Sequence, residues 1–185
     1  IFSNLGSGAI IINGTGERSI DEGLVNDSTI VENNYVEHAS MKSFSYGISV
    51  SGGTLGVKVK NNTLQEGPAG GISMSHFNLD CSYNEVANFV HSAVDYGSLY
   101  AGRTSLYRGS EVAYNLIHGS NPPKNEVLYE FLHNRNIYWD DSLAGQYAHH
   151  NLLIDGERAF TSGGNHNKVQ NNTIVDSKTG IAMYG

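Results

Sequence analysis

The 185-residue chain is long enough for a single domain with a sizeable core, and its composition favours an all-β fold. Only 16 % of the residues are charged, and 22 glycines stand against 3 prolines, as in proteins rich in strands and tight turns. The formal net charge of −7, without any run of Lys or Arg, argues against nucleic acid as a partner. No apolar stretch is long enough to predict a membrane-spanning helix.

The chain contains a single cysteine, Cys81, so no internal disulfide can form. Leu79 and Tyr83 flank it at the spacing of two that brings side chains to one face of a strand. We therefore expect Cys81 to be a small buried side chain rather than a reactive thiol.

Six copies of a short strand pattern that ends in asparagine recur along the chain. The clearest are residues 30–34 (IVENN), 57–64 (VKVKNNTL) and 168–174 (KVQNNTI). The asparagines are 21 to 36 residues apart, which fits a period of about 22 with insertions and indicates a solenoid. They are Asn34, Asn62, Asn84, Asn115, Asn151 and Asn172.

Leucine-rich repeats share this period but need leucines at fixed offsets and helical stretches, and both are missing from the pattern. The repeat predicts instead an all-β, right-handed, single-stranded parallel β-helix, in which the strands of each coil stack on those of the next. A corner asparagine tolerates the left-handed backbone conformation, and its amide can bond to the asparagine of the next coil. We therefore assign a structural role to the six asparagines.

A second set of strands follows this asparagine ladder. The segments are residues 47–51, 71–75, 92–95, 136–140, 159–162 and 180–183. Their alternation directs one set of side chains to the core and the other to solvent. The predicted core side chains are Ile48, Val50, Ile72, Met74, Val94, Ile137, Trp139, Phe160 and Ile181.

On the solvent side of this set, acids replace small hydroxyl residues in two neighbouring coils. Asp95 follows Asn84 by as many residues as Asp140 precedes Asn151, so in coils of about 22 residues the two acids share one phase. Residues 98–110 and 120–135 would then be loops beside them. Stacked strands would hold the two α-carbons about 4.8 Å apart.

Two carboxylates at that separation repel each other, so one of them keeps a proton near neutral pH. Glycoside hydrolysis needs this combination, with one carboxylic acid to protonate the leaving oxygen and one carboxylate as nucleophile or base. Alternatively, Asp95 and the pair Asp140 and Asp141 are turn residues or ligands of a structural calcium ion. Apart from that calcium, no cofactor or metal is predicted.

The segments around these acids resemble a known family. Residues 95–103 (DYGSLYAGR), residues 137–141 (IYWDD) and residues 162–165 (SGGN) occur in this order before the last ladder asparagine. They are similar to motifs of the β-helix proteins of glycoside hydrolase family 141, and the similarity runs in the same order from about residue 1 to residue 177. The resemblance implies that Asp95 and either Asp140 or Asp141 are the catalytic acids.

The chain departs from the family pattern at three positions near these acids. Tyr96 replaces a small residue, Trp139 replaces leucine, and Ser142 stands where glycine is expected. These changes would reshape the substrate pocket, and they leave open a member with a different substrate or without activity.

Five further side chains are expected on the same side of the helix as substrate-binding residues. Arg103 would bind a substrate carboxylate or bridge loop carbonyls. Tyr100 and Tyr138 would stack on sugar rings or pack in the protein. His149 and His150 would form a hydrogen bond to substrate, act as a second acid, or lie on a solvated strand.

Three functions remain open at this stage. The first is a glycoside hydrolase acting on a complex plant-like or algal polysaccharide. The second is a β-helix polysaccharide lyase, which usually needs a Lys, Arg or Tyr base. The third is a non-catalytic β-helix for adhesion or carbohydrate binding. All three imply a polysaccharide or oligosaccharide partner and a secreted, periplasmic or cell-surface location.

The ends of the chain lack the marks of natural termini. It begins at Ile1 without a start methionine and ends at Gly185 directly after a strand-like segment. We therefore expect residues 1–185 to be one parallel β-helix domain, truncated at both ends and cut from a longer helix.

Overall fold

The computed structural model describes residues 1–14, 29–93, 95–120 and 134–184. Over these ranges the chain forms short strands and no α-helix, and the strands assemble into three parallel sheets. The all-β prediction is therefore confirmed.

The three sheets are named here by their strands. Sheet A contains β1 (Phe2–Ser3), β4 (Tyr35–Glu37), β7 (Thr63–Gly67), β10 (Glu85–Phe89), β13 (Leu116–His118), β16 (Leu152–Ile154) and β19 (Thr173–Val175). Sheet B contains β2 (Ile10–Asn13), β5 (Tyr46–Ser51), β8 (Gly70–Met74), β11 (Gly97–Ala101), β14 (Arg135–Trp139), β17 (Arg158–Ser162) and β20 (Thr179–Met183). Sheet C contains β3 (Ile30–Glu32), β6 (Lys58–Lys60), β9 (Asp80–Ser82), β12 (Glu111–Ala113), β15 (Tyr147–His149) and β18 (Lys168–Gln170).

From β3 onward, each coil contributes one strand to sheet C, then one to sheet A and then one to sheet B. Strands β9, β10 and β11 form one such coil, and each pairs in parallel with its counterpart in the coil of β12, β13 and β14. The chain thus advances by one strand spacing, about 4.8 Å, per coil. This is the parallel β-helix that the repeat predicts. Within the described ranges, no helix is long and apolar enough to cross a membrane.

The six predicted asparagines form one continuous ladder. Asn34 donates its backbone N–H and its side-chain amide to Oδ1 of Asn62, at 3.1 and 3.0 Å. The same pair of hydrogen bonds repeats at every step up to Asn151, whose backbone N–H and side-chain amide both donate to Oδ1 of Asn172 at 2.9 Å. The four middle members are buried, so their satisfied amides fix the register of the coils.

One detail of the ladder prediction is wrong. The left-handed conformation belongs to the residue before each ladder asparagine, where φ lies between 52° and 59°. These residues are Asn33, Asn61, Tyr83, Tyr114, His150 and Asn171. The corner therefore lies one residue before the predicted position. The backbone N–H of the ladder asparagine is then free to donate to Oδ1 of the asparagine in the next coil.

The predicted core of sheet B is confirmed at seven positions. The buried residues are Ile48, Val50, Ile72, Met74, Ile137, Trp139 and Phe160. Ile181 pairs with Phe160 in the expected register, but β20 is the last strand of sheet B and leaves Ile181 48 % exposed. Val94 lies outside the described residues. Cys81 is buried as expected, and burial raises the pKa of its thiol.

The prediction for residues 92–95 is wrong. The strand of this coil is β11, which begins after Asp95, and Leu99 and Ala101 occupy the inward positions opposite Ile137 and Trp139. Residues 97–101, expected in part as a loop, are therefore strand. Asp95 precedes β11 while Asp140 follows β14, so the two acids do not share a phase. Ladder spacing fixes the start of a coil, but not the length of the turn between its strands.

Candidate functional site

Asp140 lies at the end of β14, where three donors hold its carboxylate. The Tyr100 hydroxyl donates to Oδ2 at 3.2 Å, the Tyr138 hydroxyl donates to Oδ1, and the backbone N–H of Asp141 reaches Oδ1 at 2.8 Å. The backbone N–H of Asp140 donates to the carbonyl of Ala101 in the preceding coil at 2.8 Å. The position facing it is Gly102, where a Cβ would come within 2.7 Å of the Asp140 Cβ. The sheet therefore fixes both the backbone and the side chain of Asp140.

Asp95 lies in the turn before β11, with a left-handed φ of 60°. Its side chain is 68 % exposed, and Oδ1 forms an ion pair with Nη1 of Arg135 at 2.8 Å. The Arg135 side chain is only 6 % exposed, and its guanidinium carbon lies 3.8 Å from the centre of the Tyr138 ring. A buried cation therefore anchors an exposed carboxylate at the edge of sheet B.

The Tyr138 hydroxyl links the two acids. It contacts Oδ1 of Asp140 and lies 3.3 Å from Oδ1 of Asp95. Two contacts of hydrogen-bond length limit the separation of these two carboxyl oxygens to about 6 Å. The predicted meeting of Asp95 with Asp140 is thus present, although the acids meet through a tyrosine rather than by stacking in adjacent coils. Since the phenol carries a single proton, it can fully satisfy only one of the two carboxylates.

Tyrosine rings form a wall next to the two acids. The Tyr46 ring centre lies 5.6 Å from those of Tyr96 and Tyr100, and Tyr100 packs edge-on against Tyr138 at 5.6 Å. Gly70 makes room for this wall, because a Cβ there would come within 2.1 Å of the Tyr46 ring. Burial raises the pKa values of the Tyr46, Tyr100 and Tyr138 hydroxyls. These hydroxyls therefore remain protonated donors near neutral pH.

Arg103 and Asp141 lie at the exposed rim of the site. The Arg103 guanidinium contacts the Tyr100 hydroxyl, which raises the pKa of the arginine, and it also lies in the field of Asp141 and Asp140. Asp141 has a left-handed φ of 48° and an exposed side chain. The structure thus brings six predicted residues together, namely Asp95, Tyr100, Arg103, Tyr138, Asp140 and Asp141.

His149 and His150 do not join this group, contrary to the expectation that they face the same side. His149 is the last residue of β15 in sheet C, where its Nε2 lies 2.5 Å from Oε1 of Glu111. Its Nδ1 lies 2.7 Å from Nδ1 of His150, and the His150 ring stacks on Tyr114. The placement follows from the repeat, because each strand of sheet C ends two residues before a ladder asparagine and the next residue forms the corner.

An open cleft of about 710 Å³ adjoins Asp140. It is formed by the turns that leave sheet B in three successive coils, together with Tyr184 after β20. The lining residues are Ser105, Arg108, Tyr138, Trp139, Asp140, Asp141, Ser142, Ala144, Gly163, Gly164, Asn165, His166 and Tyr184. The volume lies within the range of about 300–1,000 Å³ found for small-molecule sites.

Three members of the site carry no signal in the sequence. Tyr46 is far from the acids along the chain, Arg135 lies in a segment expected to be a loop, and Arg108 belongs to no motif. The register of sheet B relates Tyr46 and Arg135 to the two acids, and Arg108 lines the same cleft as Asp140. Among the described residues, no cluster of three or more His, Cys, Asp or Glu side chains could hold a metal ion.

The fold and the site together define a parallel β-helix with a surface site of two carboxylates, tyrosines and arginines. A scan against protein-family models found no match, and neither a curated protein nor a solved structure gave a significant match to the chain.

Proposed function

We propose that the chain is a glycoside hydrolase that acts on a complex plant-like or algal polysaccharide. The observation that supports this most strongly is the pair of carboxylates of Asp95 and Asp140, which share the Tyr138 hydroxyl beside an open cleft. A polysaccharide substrate of this kind also requires the secreted, periplasmic or cell-surface location that we propose.

Asp140 is the proposed nucleophile and Asp95 the proposed acid and base. Three hydrogen bonds orient the Asp140 carboxylate, whereas the exposed Asp95 can exchange protons with water. In the first step Asp95 would protonate the glycosidic oxygen while Asp140 attacks the anomeric carbon. In the second step Asp95 would take a proton from the water that displaces Asp140. The short separation favours this retaining route, because inversion needs about 6.5–9.5 Å between the carboxyl groups.

The lyase alternative receives less support from the site. A lyase needs a base that removes a proton next to the uronate carboxylate, and the Tyr100 and Tyr138 hydroxyls are bonded to the Asp140 carboxylate. Burial raises the pKa values of both hydroxyls, which disfavours a phenolate at neutral pH. An unsaturated, ultraviolet-absorbing product would identify a lyase directly.

The test compares wild type with Asp95→Asn and Asp140→Asn on a panel of plant and algal polysaccharides, with release of reducing ends as the readout. We expect each substitution to lower kcat by several orders of magnitude without loss of the folded state. Asp176→Asn is the matched control, because Asp176 is exposed and shares the left-handed φ that asparagine tolerates.

Wild-type turnover in both variants would reject the proposed pair. If wild type itself releases no sugar from any substrate but binds one, the non-catalytic carbohydrate-binding function would replace the hydrolase.

A further inference from the structure

The arginines around the site differ in the partners of their guanidinium groups. Arg135 is paired with Asp95, and Arg103 contacts Tyr100 in the field of Asp140 and Asp141. Arg158 donates to the hydroxyl of Tyr184. Arg108, which lines the cleft, donates only its Nε to the carbonyl of Ser105, at 3.3 Å. Within the part of the chain that the structure describes, Arg108 has no carboxylate partner.

The Arg108 side chain is held toward the cleft by its aliphatic stem. The stem covers Gly145, where a Cβ would lie 3.3 Å from Cγ of Arg108, and a bond from Nε to the carbonyl of Ser105 orients the exposed guanidinium. Both terminal nitrogens of the guanidinium are therefore available to a ligand. A planar fork of this kind matches a carboxylate in two parallel hydrogen bonds.

The remaining lining of the cleft suits a sugar. Ser142, Asn165 and His166 supply polar side chains, and the cleft continues without a break to Asp140. A chain with a net charge of −7 repels anions at long range, so an unpaired arginine in a cleft provides a local site for one.

We infer that this cleft is a subsite for a carboxylated sugar, a uronate residue next to the bond that is cleaved, and that Arg108 binds its carboxylate. The inference rests on the proposed hydrolase for the identity of the ligand as a sugar. It makes Arg108 a specificity-determining residue and acidic polysaccharides the substrate class.

The test measures binding rather than turnover. Asp140→Asn protein is titrated in a calorimeter with oligosaccharides of galacturonate, of guluronate and mannuronate, and of glucuronate-substituted xylan. Each is compared with the same oligosaccharide after its carboxylates have been reduced to alcohols. We expect at least one charged form to bind more tightly than its reduced partner, and Arg108→Gln to weaken only the charged form by at least about tenfold.

Two control variants distinguish the paired guanidinium donors of Arg108 from the effect of positive charge alone. Arg108→Lys keeps the charge but loses the paired donors. Its affinity for the charged oligosaccharide should therefore fall between that of the protein with Arg108 and that of Arg108→Gln. Lys58→Gln removes one positive charge from the exposed side of sheet C and should leave binding unchanged. Equal affinity for charged and reduced forms in every pair, or equal loss for both on Arg108→Gln, would overturn the inference. Tight binding of a charged form without hydrolysis by wild type would instead reject the hydrolase and retain the subsite.

Discussion

At the scale of single residues, the site depends on Tyr138 more than on any feature of the acids themselves. Its ring lies against the Arg135 guanidinium, and its hydroxyl reaches both Asp140 and Asp95. One side chain therefore sets the distance between the two carboxylates and supplies the proton between them. A tyrosine that serves only to stack on a sugar would not need a hydroxyl in this position.

Replacement of Tyr138 by Phe tests this role. The ring and its packing stay, while Asp140 loses one of its donors and the link to Asp95 disappears. We expect kcat to fall by about 10²-fold or more with little change in KM, since the missing bond orients a reacting group. The control is Tyr147→Phe, which removes a hydroxyl bonded to Gln170 in sheet C. An unchanged kcat for Tyr138→Phe would show that the acids are positioned without it.

At the scale of elements, the asparagine ladder holds the coils in register. Asn115 shows the pattern, since its amide donates to Oδ1 of Asn151 and to the carbonyl of Cys81, both at 2.9 Å. Its own Oδ1 accepts two bonds from Asn84, at 2.9 and 3.0 Å. Every polar atom of this buried side chain is thus paired between adjacent coils.

Replacement of Asn115 by Ala would leave these partners buried and unpaired. We expect the free energy of unfolding to fall by about 1–3 kcal/mol, while activity per folded molecule is retained. Chemical denaturation measures the change. Asn172→Ala is a graded control, because Asn172 is only partly buried at the end of the ladder and water can replace some of its bonds. If Asn115→Ala costs no more than Asn172→Ala, burial of the ladder does not contribute as argued.

The ladder also explains which parts of the molecule could be predicted from the sequence. An asparagine that must pair with the same residue in the next coil recurs at a fixed place, so Asn84 and Asn115 reveal the coil boundaries. The turn before β11 has no such constraint, so the strand pattern wrongly predicts Asp95 within a strand. The pairing of Asp95 with Arg135 depends on the register of β11 on β14, which only the folded chain supplies.

At the scale of the whole molecule, the coil of β18, β19 and β20 is the last one in the described residues, and its core side chains are exposed. In β20, Ile181 is 48 % and Met183 58 % exposed, although both continue the inward rows of sheet B. Among the described strands, none pairs with the outer edges of β18, β19 and β20. Exposed parallel edges with apolar side chains favour pairing with another chain.

We therefore expect the 185-residue chain to associate as its concentration rises, which sedimentation velocity would detect. Met183→Lys places a charge on the exposed edge and should reduce association while leaving the inner coils intact. A monomer at every concentration, with reversible unfolding, would contradict the expectation.

The same one-dimensional stacking isolates the centre of the molecule from its ends. A solenoid coil contacts only its neighbours, so the ends can fray while the middle stays folded. Trp139, the only tryptophan of the chain, lies in a middle coil, buried against Phe160 and directly before Asp140. Its fluorescence therefore reports the environment of the coil that carries Asp140. Emission that remains blue-shifted while circular dichroism declines would separate loss of the outer coils from loss of the site.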